Sequence, residues 1–270
     1  MPHHTGLKKT IVGLLPAGGT AARISPLPCS KEIFPIGFHS PESHLGLRPK
    51  ATAHYLIEKM QSAGAQKAYF ILRDGKWDIP AYFGDGGMVG LPLGYLMMGP
   101  PYGVPFTLDQ AYPFIGKSTV LFGFPDILFQ PGDAFVRLLK RQVETGADLV
   151  IGLFPAHQPH KMDMVEFDSE GRVLGITIKP RQTHLRFTWI IAVWGARFSH
   201  FMHEFVALRK TVQSYEHGQR ELYLGDVIQA AIQEGEQVEN VLFRDGSYID
   251  IGTPEDLTAA VQNPIQERLP

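Results

Sequence analysis

Near the N-terminus, the segment LLPAGGTAARISPLPCSKEIFPIG has the residue types best suited to chemistry. An apolar run enters a turn of small residues at Ala17, Gly18 and Gly19, and two cations follow, Arg23 and Lys31. Small side chains let backbone N–H groups approach phosphate oxygens, and a nearby arginine and lysine neutralise the phosphate charge. The segment therefore predicts a cradle for a triphosphate.

Two better-known phosphate-binding loops do not fit this segment. The dinucleotide fingerprint G-x-G-x-x-G is not met, and Pro26 and Pro28 prevent a long helix from starting directly after the turn. A P-loop is excluded because no G-K-[ST] follows the glycines. A dinucleotide-binding motif and a P-loop are therefore not expected.

Five segments in order resemble the sugar-1-phosphate nucleotidyltransferases, the family of glucose-1-phosphate thymidylyl- and uridylyltransferases. The cradle is similar to the family's A-G-G-x-G-T-R-L-x-P…P-K-x-L-x-P-I and departs from it at Ala21, Ala22 and Ser30. The other four segments are YFGDGGMVGLPLGYLMMGPPYG, VLFGFPDILF, MVEFDSEGRVLGITIKP and YIDIGTPEDLTAA. The matches extend from about Ile11 to Ala260. The resemblance thus covers nearly the whole chain.

The resemblance implies an enzyme that transfers a nucleotidyl group from a nucleoside triphosphate to a sugar-1-phosphate and releases pyrophosphate. In such a reaction, positioning and neutralisation of charge carry most of the catalysis. Arg23 and Lys31 would hold the triphosphate, and Lys179 the phosphate of the attacking sugar. Asp126 and Asp250 would bind Mg²⁺, a cation that prefers one or two carboxylates together with phosphate oxygens and waters.

The resemblance also assigns residues to two binding subsites. The nucleotide-binding residues are Ala17, Gly18, Gly19, Met98 and Gly103. The residues that bind the sugar phosphate are Asp163, Glu166, Lys179 and Arg186. The expected reaction is thymidylyl or uridylyl transfer to a glucose-like or modified sugar-1-phosphate.

Two substitutions in these subsites bear on substrate choice. Met98 stands where the family has a base-recognising glutamine, and a thioether cannot offer the paired hydrogen bonds of an amide. Base choice must then rest on backbone groups near Gly103 or be relaxed. Ile178 replaces a glutamate of the family, and the nearby cations are Arg181, His184 and Arg186. We expect a sugar that is modified, acidic or carbocyclic, unless the loop is registered differently and another side chain supplies the lost contacts.

A different class of function also fits the altered signature. A catalytically silent relative that binds nucleotide sugars and regulates a partner would tolerate Ala21, Ala22 and Ser30. Taken singly, the candidate residues have structural explanations as well: the glycines as a turn, Asp126 as a cap and the lysines as surface charges. Against both readings, all five residues assigned to catalysis are kept together in the family's order.

The elements that must position these residues follow from hydrophobic periodicity. Strands are predicted over Thr10–Leu15, Ala68–Leu72, Ser118–Phe122 and Asp148–Leu153. Helices are predicted over Thr52–Ala63, Asp133–Thr145, Leu222–Glu234 and Pro254–Gln262. The alternation indicates an α/β, Rossmann-like fold with a mostly parallel sheet flanked by helices, which binds ligands at the carboxyl ends of its strands.

Past residue 160 the pattern changes to antiparallel strands in VEFDSEGRVLGITIK and TWIIAVWG. They predict a β-rich insertion at about residues 155–200 that caps the sheet and binds the sugar. At least one of Trp189 and Trp194 in this insertion is expected in the core. No linker is evident, so residues 1–270 are predicted to form one catalytic domain in which the proline-rich region Gly84 to Pro113 is a long functional loop.

Composition limits the partners and the compartment. The chain has 270 residues, 44% of them hydrophobic, and a net charge of −2, so no basic field is available for nucleic acid. No apolar run approaches the ~20 residues of a membrane-spanning helix, and we interpret the first apolar run as a strand rather than a signal peptide. One cysteine allows no internal disulfide, which fits a cytoplasmic protein. The family resemblance implies a homo-oligomer.

Overall fold

The computed structural model describes residues 10–40, 46–99, 102–212 and 221–262. The strands are β1 (Ile11–Ala17), β2 (Pro35–His39), β3 (Arg48–Ala51), β4 (Lys67–Leu72), β5 (Leu93–Met97), β6 (Thr119–Gly123), β7 (Ile127–Gln130), β8 (Leu149–Pro155), β9 (Asp163–Phe167), β10 (Val173–Ile178), β11 (Phe187–Trp194), β12 (Val238–Leu242) and β13 (Ser247–Asp250). The helices are α1 (Thr52–Ser62), α2 (Asp78–Phe83), α3 (Val104–Asp109), α4 (Tyr112–Ile115), α5 (Ala134–Thr145), α6 (Ala196–Val212), α7 (Leu224–Gln233) and α8 (Pro254–Gln262). A 3₁₀ turn over Lys31–Ile33 follows the cradle loop.

A nine-stranded mixed sheet forms the centre of the fold. Strands β5, β4, β1 and β6 lie side by side in this order and run parallel. Strand β11 runs antiparallel to β6 and β8, and β8 pairs in parallel with β12. The parallel pairs are rich in fully buried aliphatic and aromatic residues, as expected of strands covered on both faces.

Helices cover the sheet and contribute apolar faces to two large core clusters. Helix α1 approaches β1 so closely that a Cβ on Gly13 would lie 2.7 Å from the sulfur of Met60. Helix α5 buries Ala134, Phe135 and Leu138 and ends at Gly146, whose φ of 72° suits a residue without a side chain. The α/β fold with a mostly parallel sheet is thereby confirmed, and the predicted strands and helices agree with the structure within two residues.

Two expectations about the β-rich and proline-rich regions were wrong. Strand β11 does not cap the sheet but lies inside it, because its backbone pairs with β6, β8 and β9. The described part of the region from Gly84 to Pro113 is not a long loop, since it contains β5, α3 and the start of α4. The prolines at the first turns of α3 and α4 explain the second error, because proline is well tolerated at a helix start.

A separate two-stranded ribbon lies beside the main sheet. Strands β7 and β13 pair antiparallel, with Asp250 opposite Ile127. This ribbon joins two parts of the chain that are far apart in sequence. In the described ranges we find no helix of the length and apolarity needed to cross a bilayer.

Candidate active site

A cavity of about 410 Å³ opens where the chain leaves the carboxyl ends of β1 and β6. We divide its polar lining by the segments that supply it. The first group, which we call the donor end, comes from the cradle and the strand-end carboxylates: Gly18, Gly19, Arg23, Lys31, Glu32, Asp126 and Asp250. The second group, which we call the acceptor end, comes from the β-rich region and the start of α7: Lys161, Asp163, Lys179, Thr188, Trp189, Glu221 and Tyr223. Parallel sheets commonly bind ligands at this edge of the fold.

The ribbon of β7 and β13 brings the two aspartates of the donor end together. Asp126 immediately precedes β7, and Asp250 is the last residue of β13. The backbone N–H of Ile251 donates to the carbonyl oxygen of Asp126 over 3.1 Å. Both carboxylates therefore line the same cavity, although 124 positions separate them in the chain (250 − 126).

The charges of the donor end are strongly coupled. Lys31 Nζ donates to Asp126 Oδ2. Burial raises the pKa of Asp126, but the Lys31 ammonium outweighs this and holds that pKa below its ordinary value. Burial and the negative charge of Asp126 raise the pKa of Asp250 to about 6. The two carboxylates thus lie close enough to resist ionising together.

The cradle loop places its cations around the glycine turn. The Lys31 ammonium lies against Gly19, where an added Cβ would be 3.9 Å from Nζ. The Arg23 guanidinium packs over Gly252, where an added Cβ would be 2.6 Å from Nη2. Ala21 has a φ of +53°, a left-handed conformation that suits glycine and strains alanine. This explains in physical terms why a glycine would be the natural residue at that position.

At the acceptor end, Lys179 is fixed mainly by its backbone and by one aromatic ring. Its φ is +41°, and its N–H donates to the carbonyl oxygen of Met162 over 3.2 Å. Its Nζ lies 3.8 Å from the centre of the Tyr223 ring, which is cation–π geometry. Thr188 Oγ1 donates to the carbonyl oxygen of Asp163 over 2.9 Å and so ties β11 to β9.

The structure brings most of the sequence-predicted residues into this cavity and places four outside its lining. Ala17 is buried at the end of β1. Met98 is buried beneath Gly18 and accepts a hydrogen bond from Thr107 Oγ1 over 3.4 Å. Glu166 and Arg186 are exposed. The residues that do line the cavity are Gly18, Gly19, Arg23, Lys31, Gly103, Asp126, Asp163, Lys179 and Asp250.

Sequence reasoning missed several residues of the cavity and its support. Glu32 lines the cavity and is 1% exposed, and Lys76 donates to both of its carboxylate oxygens at 2.6 Å. No sequence signal marks this pair, because isolated charged residues in loops are ordinarily solvated. Tyr223 and Glu221 were missed because the helix start at residues 221–224 carries no motif that we had singled out.

The two tryptophans of the β-rich region have different surroundings. Trp194 is fully buried and its Nε1 donates to Ser199 Oγ over 3.0 Å, which confirms the expected core tryptophan. Trp189 is 5% exposed and lines the cavity, and within the described residues its Nε1 has no hydrogen-bond partner. The two indoles offer a matched pair, one in the core and one in the cavity wall.

The carboxylates that line the cavity suit a hard cation that binds together with phosphate groups. Within the part of the chain that the structure describes, no group of three or more His, Cys, Asp or Glu residues could hold a metal by itself. Asp126 and Asp250 offer two carboxylates with coupled charges. Mg²⁺ commonly takes one or two carboxylates and completes its shell with water and phosphate oxygens. The residues present therefore fit Mg²⁺ bound together with a triphosphate.

Comparisons with known proteins agree with this geometry. The sequence model of a family described as nucleotidyl transferase matches residues 12–267. The low-salt glycan biosynthesis nucleotidyltransferase Agl11 of Haloferax volcanii is 24% identical over 259 residues, which are 95% of this chain and 66% of that protein. The glucose-1-phosphate thymidylyltransferase of Neisseria gonorrhoeae is 25% identical over 251 residues, 92% of this chain and 80% of its own length.

A solved structure shares the fold over nearly its whole length. The UDP-glucose pyrophosphorylase of Acinetobacter baumanii superposes with a TM-score of 0.72 at 16% identity and covers 96% of each chain. The present chain spans just under two thirds of the Haloferax relative, so that protein contains a region without a counterpart in the alignment.

Proposed function

The chain belongs to the nucleotidyl transferase family, and from this we propose that it joins a nucleoside triphosphate to a sugar-1-phosphate and releases pyrophosphate. One observation carries the proposal. One and the same cavity holds the cradle cations and paired carboxylates at its donor end and Lys179 at its acceptor end. Two phosphorylated substrates, each an anion that needs cations around it, would thus meet in one place.

In the proposed reaction, a phosphate oxygen of the sugar-1-phosphate attacks the α-phosphorus of the triphosphate. A new P–O bond forms, the bond from the α-phosphorus to the bridging oxygen of the β-phosphate breaks, and pyrophosphate leaves with the electron pair. Arg23 and Lys31 neutralise the charge that grows on the leaving group. The reaction needs no nucleophilic side chain, because the sugar phosphate is itself the nucleophile.

Asp126 and Asp250 are the proposed Mg²⁺ ligands. When bound, the cation would neutralise phosphate charge and align the reacting groups. In the structure the Lys31 ammonium occupies one oxygen of Asp126. We expect Lys31 to shift its hydrogen bond from Asp126 towards the triphosphate when substrate and cation enter together.

The acceptor end favours a neutral sugar that is rich in hydroxyl groups. Lys179 is proposed to hold the sugar phosphate, and the carboxylates of Asp163 and Glu221 line the same end, where they can accept hydrogen bonds from hydroxyls. The three cations that suggested an acidic sugar, Arg181, His184 and Arg186, are exposed and lie outside the cavity lining. Ile178 instead packs against Gly225, where an added Cβ would be 2.5 Å from its Cδ1.

Base selection is proposed to rest on groups around α3 rather than on Met98. The Met98 side chain is buried, whereas Gly103, Val104 and Thr107 line the cavity. The Neisseria relative is named for thymidylyl transfer and the Acinetobacter protein for UDP-glucose. We therefore propose thymine or uracil as the base.

From the family resemblance we also propose a homo-oligomer. Light scattering would measure its mass, and a monomeric mass would contradict this proposal.

The decisive test is a turnover matrix that separates this enzyme from a silent nucleotide-sugar-binding regulator. Purified protein with Mg²⁺ is mixed with each of dTTP, UTP, CTP, GTP and ATP against glucose-1-phosphate and altered sugar phosphates, and pyrophosphate release is followed. We expect release with at least one pyrimidine triphosphate. Binding of a nucleotide sugar without turnover of any pair would favour the silent regulator.

A further inference from the structure

Lys31 lies in a segment that its own secondary structure holds weakly. Residues 18–30 form the cradle loop, and Lys31 starts a 3₁₀ turn of three residues. This turn supplies only the bonds from the N–H of Ile33 to the Ser30 carbonyl oxygen and from the N–H of Phe34 to the Lys31 carbonyl oxygen. Something outside the turn must therefore fix the side chain that is proposed to meet the triphosphate.

Two residues at the start of α2, Lys76 in the preceding loop and Asp78 at the first position of the helix, hold the residues on both sides of Lys31. Asp78 accepts two hydrogen bonds from Ser30, from its N–H over 2.6 Å and from its Oγ over 2.7 Å. Lys76 donates to both carboxylate oxygens of Glu32 at 2.6 Å. Asp78 and Lys76, two positions apart in the chain, thus hold the residue before Lys31 and the residue after it.

The pair of Glu32 and Lys76 is a buried ion pair, which stability alone does not require. The two side chains are 1% and 4% exposed. Burial raises the pKa of Glu32 and lowers that of Lys76, so each charge resists its site and is kept by its partner. Apolar replacement of a buried ion pair is often neutral or stabilising, so a role in fixing the geometry around Lys31 can be tested separately from stability.

The same pair also balances the charge of the donor end. Glu32 would add a third carboxylate beside Asp126 and Asp250 if Lys76 did not neutralise it. With Lys76, the three carboxylates of this region face three cations, the other two being Arg23 and Lys31. With Glu32 neutralised by Lys76, the Lys31 ammonium pairs with Asp126 in the structure.

We infer that Lys76 and Asp78 are positioning residues for Lys31, acting through Glu32 and Ser30. The inference rests on the proposed function, in which Lys31 neutralises the triphosphate. It also reinterprets Ser30, which stands where the resembled signature has proline. Proline has no N–H and could not donate to Asp78, so the serine is a second tether and not a sign of lost activity.

Four variants separate positioning from stability. Asp78→Ala and Ser30→Pro each cut the Ser30 tether. Lys76→Met leaves the buried Glu32 without its cation, whereas the double change Glu32→Leu with Lys76→Met removes both ionisable groups and gives an apolar interior at this point. The matched control is Lys50→Met, because Lys50 is also buried and pairs with Glu58 at 2.6 Å, but neither residue lines the cavity.

For Asp78→Ala and for the double variant we expect kcat to fall by about 10- to 100-fold while KM for the triphosphate changes by less than about threefold, since misplacement of a charged group affects the transition state most. The double variant should melt near the parent temperature. Lys50→Met should lose stability and keep its kcat. A double variant that melts like the parent and keeps the parent kcat would overturn the inference.

A second measurement reads Lys31 without any turnover. Acetic anhydride labels accessible amines, and mass spectrometry of the peptide around Lys31 gives the labelling rate of that one side chain. We expect faster labelling in Asp78→Ala and in the double variant than in the parent or Lys50→Met. If the parent turns over no substrate pair, the proposed function fails on its own, and unchanged labelling of Lys31 would still contradict the tether.

Discussion

The donor end and the acceptor end of the cavity are held in place by different forces. At the donor end, Lys31 pairs with Asp126, and its two neighbours in the chain are tied by charged hydrogen bonds to Lys76 and Asp78 at the start of α2. At the acceptor end, Lys179 relies on a strained backbone and the face of Tyr223. From this difference we expect that, in the proposed function, the donor end is preorganised for the triphosphate and the acceptor end adapts more readily to the sugar.

The largest effect should come from the carboxylates of the donor end. Asp126→Asn and Asp250→Asn should each lower kcat by on the order of 10³-fold, because each removes a proposed Mg²⁺ ligand from charge stabilisation in the transition state. Circular dichroism should show an intact fold. Asp133→Asn, at the start of α5 and outside the cavity, is the control. Full activity in excess chelator would contradict the metal role.

Lys31→Ala should come next, with a loss of about 10²-fold that falls mainly on kcat. The ammonium neutralises charge that grows as pyrophosphate departs, so ground-state binding of the triphosphate should change less. Steady-state kinetics on the triphosphate separate the two parameters. An increase in KM with an unchanged kcat would assign Lys31 to ground-state binding only.

Lys179→Met tests the acceptor end of the cavity. We expect KM for the sugar phosphate to rise by roughly tenfold, since a hydrogen bond to a charged group is worth about 1.5–3 kcal/mol, while KM for the triphosphate stays near that of the parent. Tyr223→Leu should show the same pattern more weakly. Arg186→Ala serves as the control because Arg186 is exposed outside the cavity lining. An equal rise in KM for the sugar phosphate in Arg186→Ala would place the sugar phosphate near Arg186 and not at Lys179.

The pH dependence of the metal-free protein should also report on the donor end. The pKa of Asp250 is raised from 3.8 to about 6, so the folded protein binds a proton between these values that the unfolded chain has released. Stability from this group is present below about pH 4 and is lost as pH rises to about 6. Melting temperatures of the parent minus those of Asp250→Asn should show this slope. A flat difference across the range would place Asp250 away from Asp126.

The smallest effect concerns the backbone of the cradle. Ala21→Gly should stabilise the protein by up to about 1 kcal/mol, because glycine relieves the left-handed strain but gains entropy in the unfolded chain. Ala22→Gly, where φ is not positive, should instead lower the free energy of unfolding. Denaturant titration measures both. A destabilised Ala21→Gly variant would mean that the loop is not strained at this residue.

The sequence predicted the donor end better than the acceptor end, and the reason is physical. Strand-end glycines and carboxylates occupy fixed places once the parallel sheet forms, so Gly19, Lys31 and Asp126 could be assigned from their motifs. The pairing of β7 with β13, which brings Asp250 to Asp126, joins distant segments that no local periodicity connects.

At the acceptor end, the side chains depend on tertiary packing. Glu166 alternates away from the cavity along β9, whereas Asp163 and Lys179 reach it from the ends of the hairpin strands β9 and β10. Tyr223 lines the cavity from the position just before α7. The local sequence pattern predicts only that a helix begins there. The buried pair of Glu32 and Lys76 was equally invisible, because burial of a charge is decided by its partner and not by its neighbours in sequence.

Isotope exchange in the reverse direction shows whether the protein transfers a nucleotidyl group between a nucleotide sugar and pyrophosphate. The protein is incubated with Mg²⁺, labelled pyrophosphate and a panel of nucleoside diphosphate sugars, and the nucleotides are separated. We expect labelled nucleoside triphosphate from at least one pyrimidine nucleotide sugar, with the label in its β- and γ-phosphates. The Asp126→Asn protein should form no labelled triphosphate. If the folded protein binds one of the nucleotide sugars but forms labelled triphosphate from none of them, the proposed transfer reaction is contradicted.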